Sequence, residues 1–360
     1  MNNRILFISR AYGQRAGGME RLSYGLLASF PDALKIVHET KPHQSLRKTR
    51  ISSLLFALTV LPKAITASRH ADIVHIGDPV LSFVGWCIQK IRHIPVVVTV
   101  HGLDITYTNP VYQLYLRLFF RSFDTYITIS DYVQTLLTTH RVSGTITVIP
   151  PGVPDELFEP TKTRNELGKL LYRNIGSKVV FATTGRLVAR KGHAWFIKEV
   201  LTHLPRTALY AIAGNGPEQD RIAALVRSLK LEDRVVLLGR ISHEENKILL
   251  NTVDAFIQPN IKILGDTEGF GIAPVEAALC ARPVFASNVD GIPTAIAHMN
   301  NGVLLPSKEA TAWVRTLQTF MDHPLSHKPS GMSARAYTLE KFSWSTIAQE
   351  YIDVFQGLKK

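Results

Sequence analysis

Two carboxylates eight residues apart, Glu268 and Glu276, bracket the run GFGIAPV. Gly269 and Gly271 flank Phe270, and the Ala-rich apolar stretch that follows reads as a helix from about Pro274 onward. A glycine loop opening onto a helix offers backbone N–H groups and the positive end of the helix dipole to an anion. Glu276 is expected in the first turn of that helix and Glu268 on the loop before it. Carboxylates beside an anion site make chemical sense as acceptors for hydroxyl groups rather than as phosphate contacts. A sugar nucleotide carries both a diphosphate and hydroxyls.

A second candidate loop, GRLVARKG, holds Gly185, Arg186, Lys191 and Gly192 at the end of a strand-like segment. It does not fit a Walker A loop, which needs glycine directly before the lysine. Its two cations can neutralise a diphosphate between flanking glycines; taken alone, it also reads as a basic surface turn. Near the N-terminus, AYGQRAGG joins a β-like run, Arg4–Ser9, to an apolar-periodic helix, MERLSYGLLASF. Gly17 and Gly18 there serve either a tight connection or a backbone that comes close to a phosphate or sugar. The G-x-G-x-x-G spacing is absent, which argues against a dinucleotide site. His101 falls at the carboxyl end of the buried-type strand IPVVVTVHG, where ligands sit in open α/β sheets, although a capping role also fits.

The elements that must position these residues alternate strand and helix twice. ADIVHIG, IPVVVTVHG, TYITIS and TITVIP continue the first series after Arg4–Ser9, and the Pro- and Gly-rich PPGVPDELFEP marks a boundary at about residue 154. KVVFATT, ALYAIAG, RVVLLGR, VDAFIQP and RPVFAS form the second. The expectation is two Rossmann-like, doubly wound domains, 1–154 and 155–340. A terminal helical run, 341–360, would fold back on the first.

Composition agrees with a globular chain: 360 residues, 46% hydrophobic and 19% charged. The net charge of +12 is uneven, since residues 1–154 hold 16 Lys/Arg against 8 Asp/Glu and residues 155–360 hold 25 against 21. A basic first half implies an anionic partner. Six of its cations and no acid lie in 41–71, around ISSLLFALTVLP, which suits either an interfacial helix with a basic rim or a core helix with a solvated end. The basic, aromatic YQLYLRLFFRSF (112–123) tips the reading toward an anionic membrane surface. Cys87 and Cys280 read as buried thiols of a reduced cytoplasmic protein. MNNRILFIS reads as a first strand rather than a secretory signal, and no apolar stretch reaches the ~18 residues of a membrane span.

Set in order along the chain, GGMER, HGLD, IPPGVP, GRLVARKG, AGNGPE, LLGRIS, EGFGIAPVE and NGVLLP resemble the retaining GT-B glycosyltransferases, glycosyltransferase family 4. The G-R-x₄-K-G and E-x₇-E pair discriminates; the other pieces are individually weak. The resemblance implies an α/β GT-B fold, two Rossmann-like domains with the active site in an interdomain cleft, the acceptor on the first and the nucleotide sugar on the second. It implies that Arg186 and Lys191, at the loop opened by Gly185, bind the donor diphosphate. Glu276 would then hold ribose hydroxyls and Glu268 a hydroxyl of the transferred sugar. The amides of Gly269, Phe270 and Gly271 would face sugar and phosphate, and the backbone near Arg240 and Ile241 the base. His101 would stand beside the reacting centre and Gly17 and Gly18 along the donor and acceptor phosphates.

The chemistry is consistent, because Arg186 and Lys191 can stabilise the charge on a leaving diphosphate without metal. No D-x-D motif is present, so neither metal nor cofactor is expected. Retention, with the leaving phosphate as base, follows from the resemblance; Glu268 as a covalent nucleophile is chemically conceivable. Four positions depart from the family pattern: Pro151 for asparagine, Ala281 for glycine, Asp290 for the first of a glycine pair, and Thr294 for glutamate. PNIKILGDTEGFG looks most like mannosyltransferases acting on lipid-linked acceptors, which leans the donor to GDP-mannose, with UDP-glucose and UDP-N-acetylglucosamine next. Two rival readings are a non-catalytic protein binding membrane or polyanion through its basic face, and a sugar-nucleotide epimerase. No recognisable nucleic-acid module is present, and nucleic acid is not an expected partner.

Overall fold

The computed structural model describes residues 4–13, 17–39, 56, 59–324 and 329–358. The chain divides into two compact units, Met1–Gly152 with Phe342–Lys360, and Val153–Lys341. Most of the basic segment 41–71 lies outside the described residues, as do residues 14–16 of the first glycine loop.

The first unit is built on six parallel strands: β1 (Ile5–Tyr12), β2 (Leu34–Glu39), β3 (Ile73–Ile76), β4 (Val96–Val100), β5 (Thr125–Thr128) and β6 (Thr145–Val148). They run in the order β2-β1-β3-β4-β5-β6. Helices on both faces leave the central strands no wet side, so β4, VVVTV, is buried at every position and reads as a continuous apolar run. The terminal helix Trp344–Gly357 belongs to this unit. Its Tyr351 and Phe355, each 1% exposed, close on Phe7, Phe30 and His75, with Phe355 centroids 6.1 Å from Phe7 and 6.0 Å from Phe30.

The second unit repeats the plan with β7 (Val179–Thr184), β8 (Ala208–Ala213), β9 (Val235–Gly239), β10 (Ala255–Gln258), β11 (Val284–Asn288) and β12 (Val303–Pro306). Their order is β12-β11-β10-β7-β8-β9, again all parallel. Parallel pairing places every strand's carboxyl end on one edge of the sheet. The loops after β7, β8, β9, β10 and β11, which carry the second-half motifs, therefore leave from the same edge.

The helix after the E-x₇-E loop is Ile272–Leu279, which corrects the expected start at Pro274 and the first-turn placement of Glu276. The chain turns into the helix at Gly271, whose φ of +91° suits glycine, so the helix begins two residues earlier. Pro274 is accommodated in the first turn, where its missing N–H has no intrahelical partner to lose. Glu276 lies one turn further in and is 4% exposed, the single charge on a helix otherwise apolar.

Candidate active site

In the second unit the basic loop and the acidic loop meet. Lys191 Nζ lies 2.7 Å from Glu268 Oε2, with the two residues 8% and 9% exposed. Asn260 Nδ2 donates to the same oxygen at 3.0 Å, and Arg190 Nη2 approaches it at 3.8 Å. Burial alone pushes the Glu268 carboxyl upward. Lys191 and then Arg190, with the hydrogen bonds from Lys191 and Asn260, outweigh that and hold it down at about 2. Glu268 is therefore an ionised acceptor across the physiological range.

The loops are fastened by backbone contacts that leave little room for side chains. Gly192 has φ +69°, and a Cβ there would lie 1.9 Å from the Pro259 carbonyl oxygen, so the turn after Lys191 needs glycine on both counts. The amide of Ile261 donates to the Arg190 carbonyl at 2.8 Å, and Leu187 N donates to Asn215 O at 3.0 Å, tying the G-R-x₄-K-G loop to its neighbours on either side. Arg190, which the sequence reading passed over, also donates from Nε to Thr267 O and pairs with Asp266 at 3.3 Å. It clips the residues just before Glu268. Its position beside Lys191 in ARKG is a signal only once the loop's partner is known.

Arg186 behaves differently from Lys191. It is exposed, and among the described residues its guanidinium makes no ion pair or hydrogen bond. An anion arriving at this edge meets one uncommitted guanidinium and one ammonium already neutralised by Glu268.

Two of the departures from the family pattern keep the backbone form that glycine would supply. Asp290 has φ +51° and Ala281 φ +57°, both left-handed. Aspartate tolerates this region, and here its Oδ2 accepts from the Glu268 amide at 3.1 Å while Gly291 N donates to Glu268 O at 2.9 Å. Burial raises the Asp290 carboxyl. Asp290 thus holds the backbone of Glu268, a role no spacing announces.

Glu276 is buried in the helix behind this loop, with Phe270 3% exposed between the glycines. Arg240 is exposed at the end of β9, and Ile241 packs in part against the core cluster that includes Leu249 and Val253. Gly185, with φ +140°, opens the basic loop.

His101, Gly17 and Gly18 belong to the first unit. His101 Nε2 lies 2.9 Å from the Gly77 carbonyl, which only accepts, so that nitrogen carries a proton and donates. The Asp104 carboxylate accepts from the amides of His101 at 2.9 Å and Gly102 at 2.7 Å, fixing the turn that presents the imidazole. Beside it, at the end of β3, Asp78 is fully buried and paired with Arg10 at 2.9 Å. Gly17 precedes the helix Gly18–Ala28, and a Cβ at Gly18 would meet nothing within 4 Å among the described residues.

Comparisons with known proteins agree in direction. The family model described as Glycosyl transferases group 1 matches residues 173–338, and the model described as Glycosyltransferase Family 4 matches residues 16–157. A GDP-mannose-dependent alpha-(1-6)-phosphatidylinositol monomannoside mannosyltransferase of Mycolicibacterium smegmatis is 25% identical over 272 residues, covering 74% of this chain and 71% of the relative. The D-inositol 3-phosphate glycosyltransferase of Corynebacterium diphtheriae is 24% identical over 386 residues, covering 99% and 89%. Among solved structures, Anabaena Alr3699/HepE in complex with UDP superposes with a TM-score of 0.79 at 19% identity, covering 98% of this chain and 100% of that one.

Proposed function

The chain belongs to the GT-B glycosyltransferases of family 4 type, and from that premise we propose that it moves a hexose, with retention and without metal, from a nucleotide sugar to a lipid-linked or polysaccharide acceptor. The observation that carries this reading is the Lys191–Glu268 contact, which joins the cationic and acidic loops at one sheet edge. Arg186 and Lys191 take the donor diphosphate, and Glu276 takes the ribose hydroxyls. Glu268 accepts from a hydroxyl of the sugar. The amides of Gly269, Phe270 and Gly271 line the sugar and phosphate, the backbone at Arg240 and Ile241 meets the base, and Gly185 lets the loop approach. On the first unit, His101, Gly17 and Gly18 are the residues this reading offers to the reaction and to phosphate.

As the sugar leaves, charge builds on the diphosphate, and two cations in a partly dry site stabilise it without protonating it. The departing phosphate oxygen then serves as base for the acceptor on the same face. A covalent route through Glu268 is the weaker one, because a carboxylate held at about 2 by Lys191, Arg190 and Asn260 is a poor nucleophile.

GDP-mannose stands first among donors, since a relative's name specifies it, and UDP-glucose and UDP-N-acetylglucosamine follow, since a structural neighbour holds UDP. The helix Pro110–Phe119 supports a lipid acceptor at an anionic membrane face. It exposes Val111, Leu114 and Leu118 by 76%, 53% and 59% along one side, with exposed Arg117 between them.

The test is a thermal-shift screen with UDP, GDP and their sugars, in which a ligand at 100 times its Kd adds about 2.7 kcal/mol. One nucleotide series should stabilise the protein, and Glu276→Ala should lower its kcat/KM about 10- to 100-fold, the worth of charge-assisted hydrogen bonds. No shift with any of them, or an unchanged kcat/KM in the variant, removes the donor site. Interconversion of a free UDP-sugar with no acceptor present would instead identify an epimerase.

A further inference from the structure

Behind Glu268 runs a chain of buried amides. Gln258, fully buried at the end of β10, donates from Nε2 to Asn260 Oδ1 at 2.7 Å, and Asn260, 1% exposed, donates from Nδ2 to Glu268 Oε2 at 3.0 Å. The direction of this chain is forced by its last member. An ionised carboxylate only accepts, so the Asn260 atom facing it is the nitrogen. The Asn260 oxygen therefore faces Gln258, whose nitrogen must donate to it. The Asn260 backbone is held by Ser307, whose hydroxyl donates to the Asn260 main-chain carbonyl at 2.9 Å.

Asn260 and Lys191 both reach Oε2, at 3.0 and 2.7 Å. Among the described residues, Glu268 Oε1 takes no hydrogen bond or ion pair. Lysine alone does not impose this asymmetry, because an ammonium is a compact charge that can swing between the two carboxylate oxygens or bridge them. A rigid amide at 3.0 Å on one side of the carboxylate breaks the tie more firmly than Arg190, whose Nη2 approaches the same oxygen only to 3.8 Å.

Resting on the reading of Glu268 as the acceptor for a donor-sugar hydroxyl, we infer that Asn260, locked by Gln258, is a positioning residue that keeps Lys191 on Oε2 and leaves Oε1 to select the sugar. Without it, Lys191 draws both oxygens toward itself, and the sugar hydroxyl loses its acceptor while the diphosphate site keeps its cations. Asn260 therefore governs recognition of the sugar and not of the nucleotide.

The test compares Asn260→Ala, Asn260→Asp and Glu268→Gln by titration calorimetry with UDP, GDP, UDP-glucose and GDP-mannose. Asn260→Ala should bind the preferred nucleoside diphosphate within about twofold of the parent chain, which also certifies its fold, and bind the matching sugar nucleotide about tenfold more weakly. Asn260→Asp sets two carboxyls against each other and restores donation only when they share a proton. Its sugar-nucleotide affinity should rise as pH falls from about 8 to about 5.5, an interval over which the parent stays flat. A merely structural role for Asn260 produces no such slope. Unchanged sugar-nucleotide affinity in Asn260→Ala, with Glu268→Gln impaired, overturns the inference and leaves the Glu268 reading intact. Equal loss of nucleoside diphosphate and sugar nucleotide, or a flat profile for Asn260→Asp, overturns it too. If Glu268→Gln binds sugar nucleotides normally, both the inference and the reading beneath it fall.

Discussion

At Glu268, a buried carboxylate is stabilised by two cations and an amide, and the consequence is a pH dependence with a defined sign. Its folded value, about 2, lies below the ordinary glutamate range. The pair therefore contributes stability that is fully present above about pH 4.3 and is lost as pH falls through that range toward about 2. Lys191→Met should weaken this dependence, raise the Glu268 carboxyl and cost at most about 3–5 kcal/mol, the scale for removing one partner of a buried pair, because Arg190 and Asn260 still face the carboxylate. Urea titrations of both proteins between about pH 7 and about pH 3 measure it. Equal stability at neutral pH would mean that the ion pair contributes nothing net. The types and spacing of Lys191 and Glu268 were legible from the chain, as was the idea that they serve one ligand. Their direct contact was not, because 77 residues of sequence separate them and no local periodicity reports which loops share a sheet edge. Asn260 and Asp290 were less visible still, since one carboxamide and one departure from a glycine pair acquire meaning only beside Glu268.

Among the elements, the terminal helix Trp344–Gly357 shows how a segment distant in sequence completes a core. Its Phe355 sits among Phe7, Phe30, His75 and Tyr351, all part of the first unit. Trp344 lies where a Cβ on Gly25 or Gly152 would come within 2.0 or 2.5 Å of the indole, so those two glycines admit the ring. Phe355→Ala should cost about 3–5 kcal/mol by losing buried contacts and leaving a cavity. A chemical-denaturation midpoint shift shows this, whereas a change under about 1 kcal/mol would mean the helix is dispensable to the first unit. The strands themselves were the most readable elements. Those with both faces covered are runs of Val, Ile and Ala, which periodicity detects. β2 and β12 were not among the strand-like segments, although β6 and β9, which also lie at sheet edges, were. The helix starts at Ile272, two residues before the expected start at about Pro274, because the positive φ of Gly271 sets it and a backbone angle leaves no mark in the apolar pattern.

For the molecule as a whole, charge and exposed apolar area point the same way. The net charge of +12 is concentrated in the first half, and Tyr107, Val111, Leu114 and Leu118 are 62%, 76%, 53% and 59% exposed there. Among the described residues no helix is long and apolar enough to cross a membrane. Under the proposed function the protein docks on a bilayer by a basic, apolar face. It should co-sediment with vesicles containing about 30% anionic lipid at low salt and release as salt rises, since each Lys/Arg contributes about 1 kcal/mol at such a surface and is screened. The double variant Val111→Ser with Leu114→Ser should reduce binding about tenfold without altering the response to nucleotide. Full solubility of the parent with such vesicles would remove the membrane reading.

The sequence by itself determined the class of fold and the chemistry on offer, because strand and helix periods, glycine punctuation and charged residue types are properties of local stretches. Only the tertiary structure decided that Lys191 and Asn260 address the same Glu268 oxygen, that Asp290 holds its amide, and that Phe355 is the residue that packs among Phe7, Phe30 and His75. Those facts depend on which strands lie side by side in a parallel sheet. That order is settled by the packing of whole elements against one another, which a linear pattern of residues does not encode residue by residue.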